Sequence, residues 1–500
     1  MADGSPLSHA ADTSLVGKVM ATIESRIASR SLTPGARLPS IRALAETLGV
    51  SKSTVVTAYD RLAAEGTIQS RPGSGFYVAA PLAPLAVADL GPRLDRAVDP
   101  FWISRQALEA GPEMRMPGCG WLPDSWMPHA DIRRALRSLA RADTGTLVEY
   151  GSPRGLPALR QIVARRLAER GIETSPDHVV LTDSGTQAID LVCRFLVEPG
   201  DTVLLDDPSY FNFQTLLRSH RVKIVGVPYT PAGPDVKAFA EILDREKPRL
   251  YITNSGLHNP TGVTLSPTVV HQVLKLAERA GLTILEDDVY ADLEVNPGPR
   301  LATYDGLENV IHLGSFSKTL TAAGRCGFIA ARPDWVEALV DLRISTTFGG
   351  GRMTSEIVLH LLRSAAYRRH VEGVRTRLAE AMARTADRLA RIGIDPWVRP
   401  AAGMFLWCRL PGDTDAADLA RFALKHQVVL APGNTFSPSQ TARNFLRFNV
   451  AQCDDPHIYD VLQKGAGARL KHFQQKWEPV LRFENATTQE TEPFHRPRLR

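Results

Sequence analysis

The sequence predicts a multidomain chain: a small α+β winged helix-turn-helix unit, a linker, and a large α/β domain. Three observations lead there. Two short amphipathic patterns meet at Gly49-Val50 and are followed by a Pro/Gly turn between β-prone residues. A proline-punctuated stretch without periodicity comes next. Beyond it, apolar β-rich runs alternate with helical patterns through most of the remaining chain. The boundaries read as 1–80 for the small unit, 81–114 for the linker, 115–470 for the large domain and 471–500 for a polar tail.

At 500 residues the chain is too long for one small domain and carries ample apolar residue for a sizeable core. A net charge of +5 permits nucleic-acid binding without arguing for it. Cys119, Cys193, Cys326, Cys408 and Cys453 are scattered, with no CxxC spacing. That argues against a disulfide framework or a zinc site and fits a reducing cytosol. The first residues are polar without an apolar core, and no run reaches the ~20 apolar residues of a membrane span. A cytoplasmic protein with no membrane partner is expected.

In the small unit, Leu15, Val19, Ile23 and Ile27 recur every four residues and predict a helix ended by Thr33-Pro34-Gly35. Ser40 caps a second helix with Ile41, Leu44, Ala45 and Leu48 on one face, and Gly49 stops it. Ser51 caps a third, with Val55, Tyr59 and Leu62 inward and Lys52, Ser53, Thr54 and Thr57 outward. Thr67–Arg71, the turn Pro72-Gly73-Ser74-Gly75 and Phe76–Val78 form a hairpin, the wing. Lys52 and its hydroxyl neighbours stand where recognition helices meet base edges and phosphates, with Arg42, Arg71 and the wing glycine and serine as further contacts. Winged helices also serve as protein–protein modules, and the weak local charge leaves that alternative open.

Leu38-Pro-Ser-Ile-Arg-Ala-Leu-Ala, Val50-Ser-Lys-Ser-Thr-Val, Ala58-Tyr-Asp-Arg-Leu and Arg71-Pro-Gly-Ser-Gly-Phe-Tyr-Val resemble the GntR-type winged-helix domain over about residues 14–80. Lys52 stands where that pattern often has arginine, which keeps the charge and loses the bidentate fork.

From Ala79 the linker is rich in proline and alanine. About fifteen extended residues would span roughly 45 Å. Asp99–Leu108 is more apolar and is expected to pack on the large domain.

Strands are predicted at His178–Leu181, Thr202–Leu205, Val222–Val227, Arg249–Thr253, Leu282–Glu286 and Val310–Leu313, with helices such as Thr186–Phe195 and Ser266–Ala280 between them. This pattern fits a mostly parallel sheet, in which ligands sit beyond the C-terminal strand ends. Polar motifs fall at those ends. Asp183-Ser184-Gly185-Thr186 opens a helix and offers an anion site or an ordinary cap. Asp207-Pro-Ser-Tyr210 presents an aromatic ring. His258-Asn259-Pro-Thr-Gly262 is a tight turn. Glu286-Asp287-Asp288-Val-Tyr290 sets a carboxylate near a phenol. Ser315-Phe316-Ser317-Lys318 is followed by Arg325. In isolation Lys318 reads more readily as a solvated loop lysine than as an attachment point. Pyridoxal 5′-phosphate needs all these groups at once: a lysine for its aldehyde, hydroxyls and an arginine for its phosphate, a carboxylate for its ring nitrogen, and donors for its phenolic oxygen.

These motifs, with Tyr150-Gly-Ser-Pro-Arg-Gly-Leu-Pro-Ala-Leu-Arg160, Pro400-Ala-Ala-Gly-Met-Phe-Leu-Trp407 and Asn444-Phe-Leu-Arg447-Phe-Asn-Val, resemble the PLP-dependent fold type I aminotransferases. The resemblance implies that Lys318 forms the internal aldimine and Asp287 pairs with the ring nitrogen. Asn259 and Tyr290 would meet the phenolic oxygen, Tyr210 would stack on the ring, and Ser184, Gly185, Thr186, Ser315, Ser317 and Arg325 would hold the phosphate. Tyr150 would reach the neighbouring subunit's phosphate, and Arg447 would bind a substrate or effector carboxylate. The resemblance also implies a large subdomain at about 145–345 and a small one at about 115–144 plus 346–470. Pro117-Gly-Cys-Gly-Trp-Leu-Pro-Asp sits at the family's substrate-side loop but departs from it in Cys119 and Trp121.

The two domains in this order resemble the MocR branch of bacterial transcription regulators. That implies a homodimer binding double-stranded operator DNA and sensing an amine, an amino acid or the cofactor itself through an aldimine on Lys318. The rival expectation is an active aminotransferase, with Lys318, Asp287 and Tyr290 catalytic and the winged helix an accessory.

Overall fold

In the computed structural model, residues 14–28, 32, 36–64, 67–71, 75–78, 98 and 100–466 are described. Residues 81–97 of the linker expected over 81–114, the wing residues Gly73 and Ser74, and the tail 471–500 lie outside them. The chain divides into two compact units, 1–93 and 94–500.

The first unit is built on helices α1 (Leu15–Ala28), α2 (Ile41–Leu48) and α3 (Lys52–Ala64), followed by strands β1 (Ile68–Arg71) and β2 (Gly75–Val78). Caps set the helix limits as expected. Ser40 Oγ accepts from Ala43 N at 3.2 Å, Ser51 Oγ accepts from Thr54 N at 3.1 Å, and Gly49 adopts φ +66° at the C-terminus of α2. Val19, Ile23, Leu44, Val55, Tyr59, Leu62, Ile68 and Val78 form one core. Tyr59 donates its buried hydroxyl to Pro39 O at 2.7 Å. The segment before α2 also joins the hairpin, since Leu38 N donates to Phe76 O and Val78 N to Ala36 O. This third, short pairing was absent from the sequence reading.

The second unit carries an eight-stranded sheet ordered β3-β10-β9-β8-β7-β4-β5-β6. Its strands are β3 (Val179–Thr182), β4 (Thr202–Asp207), β5 (Lys223–Thr230), β6 (Gly233–Pro234), β7 (Leu250–Thr253), β8 (Thr283–Asp287), β9 (Val310–Ser315) and β10 (Gly327–Ala330). The six expected strands are all present, and β9-β8-β7-β4-β5 are mutually parallel. Strand β10, which the sequence reading missed, lies antiparallel between β3 and β9. Its Gly-Phe-Ile-Ala run is too short to stand out. Helices cover both faces, and their apolar residues form two layers against Val180, Leu205, Ile252 and Leu285 on one side and Leu181, Leu204, Tyr251 and Ile284 on the other.

A smaller antiparallel sheet holds β11 (Asp395–Pro396), β12 (Phe405–Arg409), β13 (Ala431–Pro432) and β14 (Phe445–Asn449) in the order β11-β12-β14-β13. Two expected boundaries are corrected. The linker does not run to 114: helix α4 (Pro100–Leu108) buries Trp102 and Ile103 in the small-subdomain core, as its apolar composition suggested. The small subdomain is not 115–144 plus 346–470. Helix α5 (His129–Leu139) and the helix Arg352–Arg363 bury Ala135, Val358 and Leu359 in the large-subdomain core. The helix Ala365–Ala390 joins the two cores, with Tyr367 and Val371 in the large one and Val374, Leu378 and Leu389 in the small one. No helix among the described residues is long and apolar enough to cross a membrane.

Candidate functional site

The C-terminal ends of β3, β4, β7, β8 and β9 converge on one cavity. It is lined by Gly185, Thr186, Tyr210, Asn254, Asn259, Asp287, Tyr290, Ser315, Ser317, Lys318 and Arg325, with Ile189 and Val289. Ten of the twelve residues expected around the cofactor are therefore brought together.

The other two are placed elsewhere. Ser184 is the N-cap of the helix Gly185–Leu196, and its Oγ accepts from Gln187 N at 3.0 Å. Its hydroxyl organises the turn while the helix's first N–H groups face the cavity end. Tyr150 is 80% exposed and pairs with Phe348, itself 63% exposed, at a ring-centroid distance of 5.1 Å. It does not line its own chain's cavity.

Each lining group is set by local structure. The turn His258–Gly262 is closed by Gly262 N donating to His258 O, with Gly262 at φ +72°; a Cβ there would lie 2.5 Å from Pro400. Beneath it His258 stacks on Tyr229 at 4.0 Å, and its Nδ1 lies 2.7 Å from Thr261 Oγ1. His258 Nε2 lies 3.3 Å from the buried carboxylate of Asp206, which also accepts from Tyr251 and from Thr253 Oγ1. This platform aims Asn259, whose Nδ2 donates to Tyr290 Oη at 3.1 Å and whose Oδ1 accepts from Arg447 Nη1 at 2.9 Å.

The three acids after β8 separate by environment. Glu286 accepts from Leu301 N and Ala302 N and pairs with His312, so it is structural. Asp288 pairs with buried Arg300 at 2.9 Å. Asp287 alone faces the cavity. Burial raises its carboxyl to about 6, opposed by the Val289 N–H that it accepts at 3.1 Å. Asn254, a lining residue absent from the sequence reading, donates to Asp287 O at 3.0 Å, and its buried Oδ1 has no partner. Its position directly after β7 was the available signal.

Lys318 follows β9. Burial and the nearby Arg447 charge lower its ammonium to about 8, while Asp287 opposes the fall. A lysine so placed is a nucleophile near neutral pH. Ser315 Oγ donates to Ser317 Oγ at 3.1 Å, and both line the same cavity as Arg325, which gathers two hydroxyls and a guanidinium there. Tyr210 and Tyr290 have their phenols raised by burial and stay neutral donors. Arg447, on β14, is fully buried, and its guanidinium lies 4.3 Å from the Phe405 ring centroid and 4.9 Å from that of Phe436.

In the first unit, Arg42, Ser51, Lys52 and Ser53 are exposed and Thr54 is half-buried. The Ser51 hydroxyl is also engaged as the α3 cap. Val56 and Thr57 share the outward face, and Val56 is 39% exposed. Arg71 lies on β1. Arg37, which the sequence reading did not single out, packs its side chain beside Gly75 at the wing turn.

A two-part molecule with a helix-turn-helix head and a lysine cleft at the strand ends is a DNA-binding unit fused to an aminotransferase fold. Residues 15–78 match the gntR family of bacterial regulatory proteins, and residues 123–464 match aminotransferase class I and II. The HTH-type transcriptional regulator YdcR of Escherichia coli is 32% identical over 86% of this chain and 93% of its own length. The 2-aminoadipate transaminase of Thermus thermophilus is 30% identical over 69% of this chain and 87% of its own. The structure of LysN, an α-aminoadipate aminotransferase from Thermus thermophilus complexed with N-(5′-phosphopyridoxyl)-L-leucine, is 27% identical with a TM-score of 0.67. It covers 75% of this chain and 95% of that one. The chain belongs to the GntR-type transcription regulators that carry an aminotransferase class I and II domain, the MocR architecture.

Proposed function

We propose that this regulator binds pyridoxal 5′-phosphate at Lys318 and couples occupancy of the cleft by an amine or amino acid to DNA binding by its winged-helix head. The observation that carries the reading is a buried, weakly basic Lys318 in one cavity with Asp287, Asn259, Tyr290, Ser315, Ser317 and Arg325. When bound, the cofactor supplies an aldehyde and an electron-withdrawing ring. The donor set fits each of its groups. Lys318 meets the aldehyde, and Asp287, with one backbone donor and a buried setting, has capacity left for a ring N–H. Asn259 and Tyr290 hold the phenolic oxygen. Ser315, Ser317, Arg325 and the Ser184–Thr186 helix start hold the phosphate. Tyr210 stacks on the ring. Arg447 binds the effector carboxylate.

The exposed Tyr150–Phe348 pair supports a homodimer in which Tyr150 reaches the other copy's phosphate. Two heads would then read two half-sites, with Lys52, Ser53 and Thr54 at base edges and Arg42, Arg71, Gly73, Ser74 and Arg37 at the backbone, in the cytoplasm at the nucleoid. An effector shifts the DNA-binding equilibrium only by its unequal affinity for the two domain arrangements.

The test is binding of the purified holoprotein to DNA upstream of its own gene and of neighbouring genes at low salt, with and without a panel of amines and amino acids. Specific binding altered by one of them is expected, and absence of binding at every promoter would sink the regulator reading. The similarity to the 2-aminoadipate transaminase, with Lys318, Asp287 and Tyr290 all present, favours a second reading as an active aminotransferase. Turnover of an amino acid with a keto acid would support it, whereas a spectral change without turnover supports the sensor.

A further inference from the structure

One apolar side chain stands on the outward face of α3 without joining the core beneath it. Val56 is 39% exposed, whereas its neighbours Val55, Ala58, Tyr59 and Leu62 fill that core. A single exposed valine is ordinary on a protein surface. This one lies one helical turn beyond Lys52 and three residues beyond Ser53, so it shares their face, and a β-branched residue is a poor choice for a solvated helix position. The hydroxyls around it are already bonded within the helix start. Ser51 Oγ lies 2.8 Å from Ser53 Oγ and 2.7 Å from Thr54 Oγ1, and Thr57 Oγ1 donates to Ser53 O at 3.0 Å. These hydroxyls keep lone pairs for a base amino group, but none of them senses a methyl. With its hydroxyl turned back on the helix, exposed Thr57 has its methyl left to offer. The face thus combines one ammonium, hydroxyl acceptors and two adjoining apolar groups.

Of the four bases, only thymine carries an apolar group at its major-groove edge, the C5 methyl. We propose that Val56 is a specificity-determining residue that packs on a thymine methyl, with the Thr57 methyl extending the contact, so that each half-site carries an A·T pair of fixed orientation under the middle of α3. This rests on the reading of α3 as the helix that enters DNA, and goes beyond it by naming what the helix selects. Cytosine at the same place has only a C5 hydrogen and offers no such contact. The purines present N7 acceptors there, which a valine leaves unpaired. Asp60, exposed one turn beyond Val56, would face phosphate with the wrong sign, which confines the contact to the first half of α3.

The full-length protein is used to select binding sites from a random duplex library. Each thymine of the enriched half-site is then replaced in turn by deoxyuridine, which keeps every hydrogen bond and lacks the methyl. At one position, or at two adjacent ones, the replacement should weaken binding by wild type several-fold. It should leave binding by Val56→Ala unchanged, because that variant has already lost the same factor on the thymine site. Val56 lies off the core, so Val56→Ala should melt with wild type. Thr57→Ser keeps the hydroxyl and drops the methyl, and should lose a smaller factor; binding as tight as wild type would strike Thr57 from the contact. An enriched site in which no thymine methyl matters overturns the proposal and leaves the DNA-binding reading standing. So does a site at which Val56→Ala loses as much as wild type on going to deoxyuridine. Absence of any enriched sequence sinks the DNA-binding reading and the proposal with it.

Discussion

The Lys318 cleft and the winged head treat polar groups in opposite ways. In the cleft they are buried, and networks fix them from behind: Asp206 and Tyr229 under the His258 turn, Glu286 on the N-terminus of a following helix, Asn449 on the Cys119 and Trp121 carbonyls. In the head the polar groups ride on the exposed side of α3, and below them lies one small apolar core. Chemistry requires groups held against water, whereas reading a phosphate backbone requires them presented to it. Substitutions should therefore act on one region and leave the other intact.

The largest effect is expected from Lys318→Ala, which removes cofactor attachment completely, read as loss of the visible absorbance, while DNA binding by the head persists in the absence of ligand. If regulation by ligand survived this change, the sensing reading would be wrong. Leu62→Ala is the counterpart in the head. Deleting this fully buried side chain should cost the head about 3 kcal/mol, with an early melting transition and weaker promoter binding, and leave the absorbance unchanged. Loss of the absorbance as well would show that the two regions fold as one cooperative unit.

Ser51→Ala removes the α3 cap and should cost the head about 1 kcal/mol, measured as a small fall of the same transition. The last prediction concerns proton binding. Burial disfavours charged Lys318, so the amine is freed as pH rises through about 8 rather than through 10.5, and cofactor attachment should accelerate over that window. Asp287 holds this value up, so Asp287→Asn should move the midpoint below 8. A midpoint unmoved or raised in stopped-flow absorbance would contradict the assigned proximity.

How much of this was legible in the sequence differs between regions for physical reasons. The head was readable almost to the residue because caps are local: Ser40, Gly49 and Ser51 act on the backbone within four positions of themselves. The cleft was readable because β-strand ends are marked by a change from apolar run to polar motif. What escaped depends on contacts distant in sequence. Antiparallel β10 is defined by pairing with β3 and β9, not by its four residues. The subdomain boundary failed because the core that α5 and the helix Arg352–Arg363 join is set by packing against residues distant in sequence. Asn254 showed only as a polar residue after a strand, and Asn449 as one polar residue in an apolar run.

The helix Ala365–Ala390 has a mechanical consequence. At 26 residues it is about 39 Å long, with Tyr367 and Val371 clamped in one core and Val374 through Leu389 in the other. One continuous rod thus ties the two cores together, so any rotation of one against the other has to pass through the turn between Val371 and Val374.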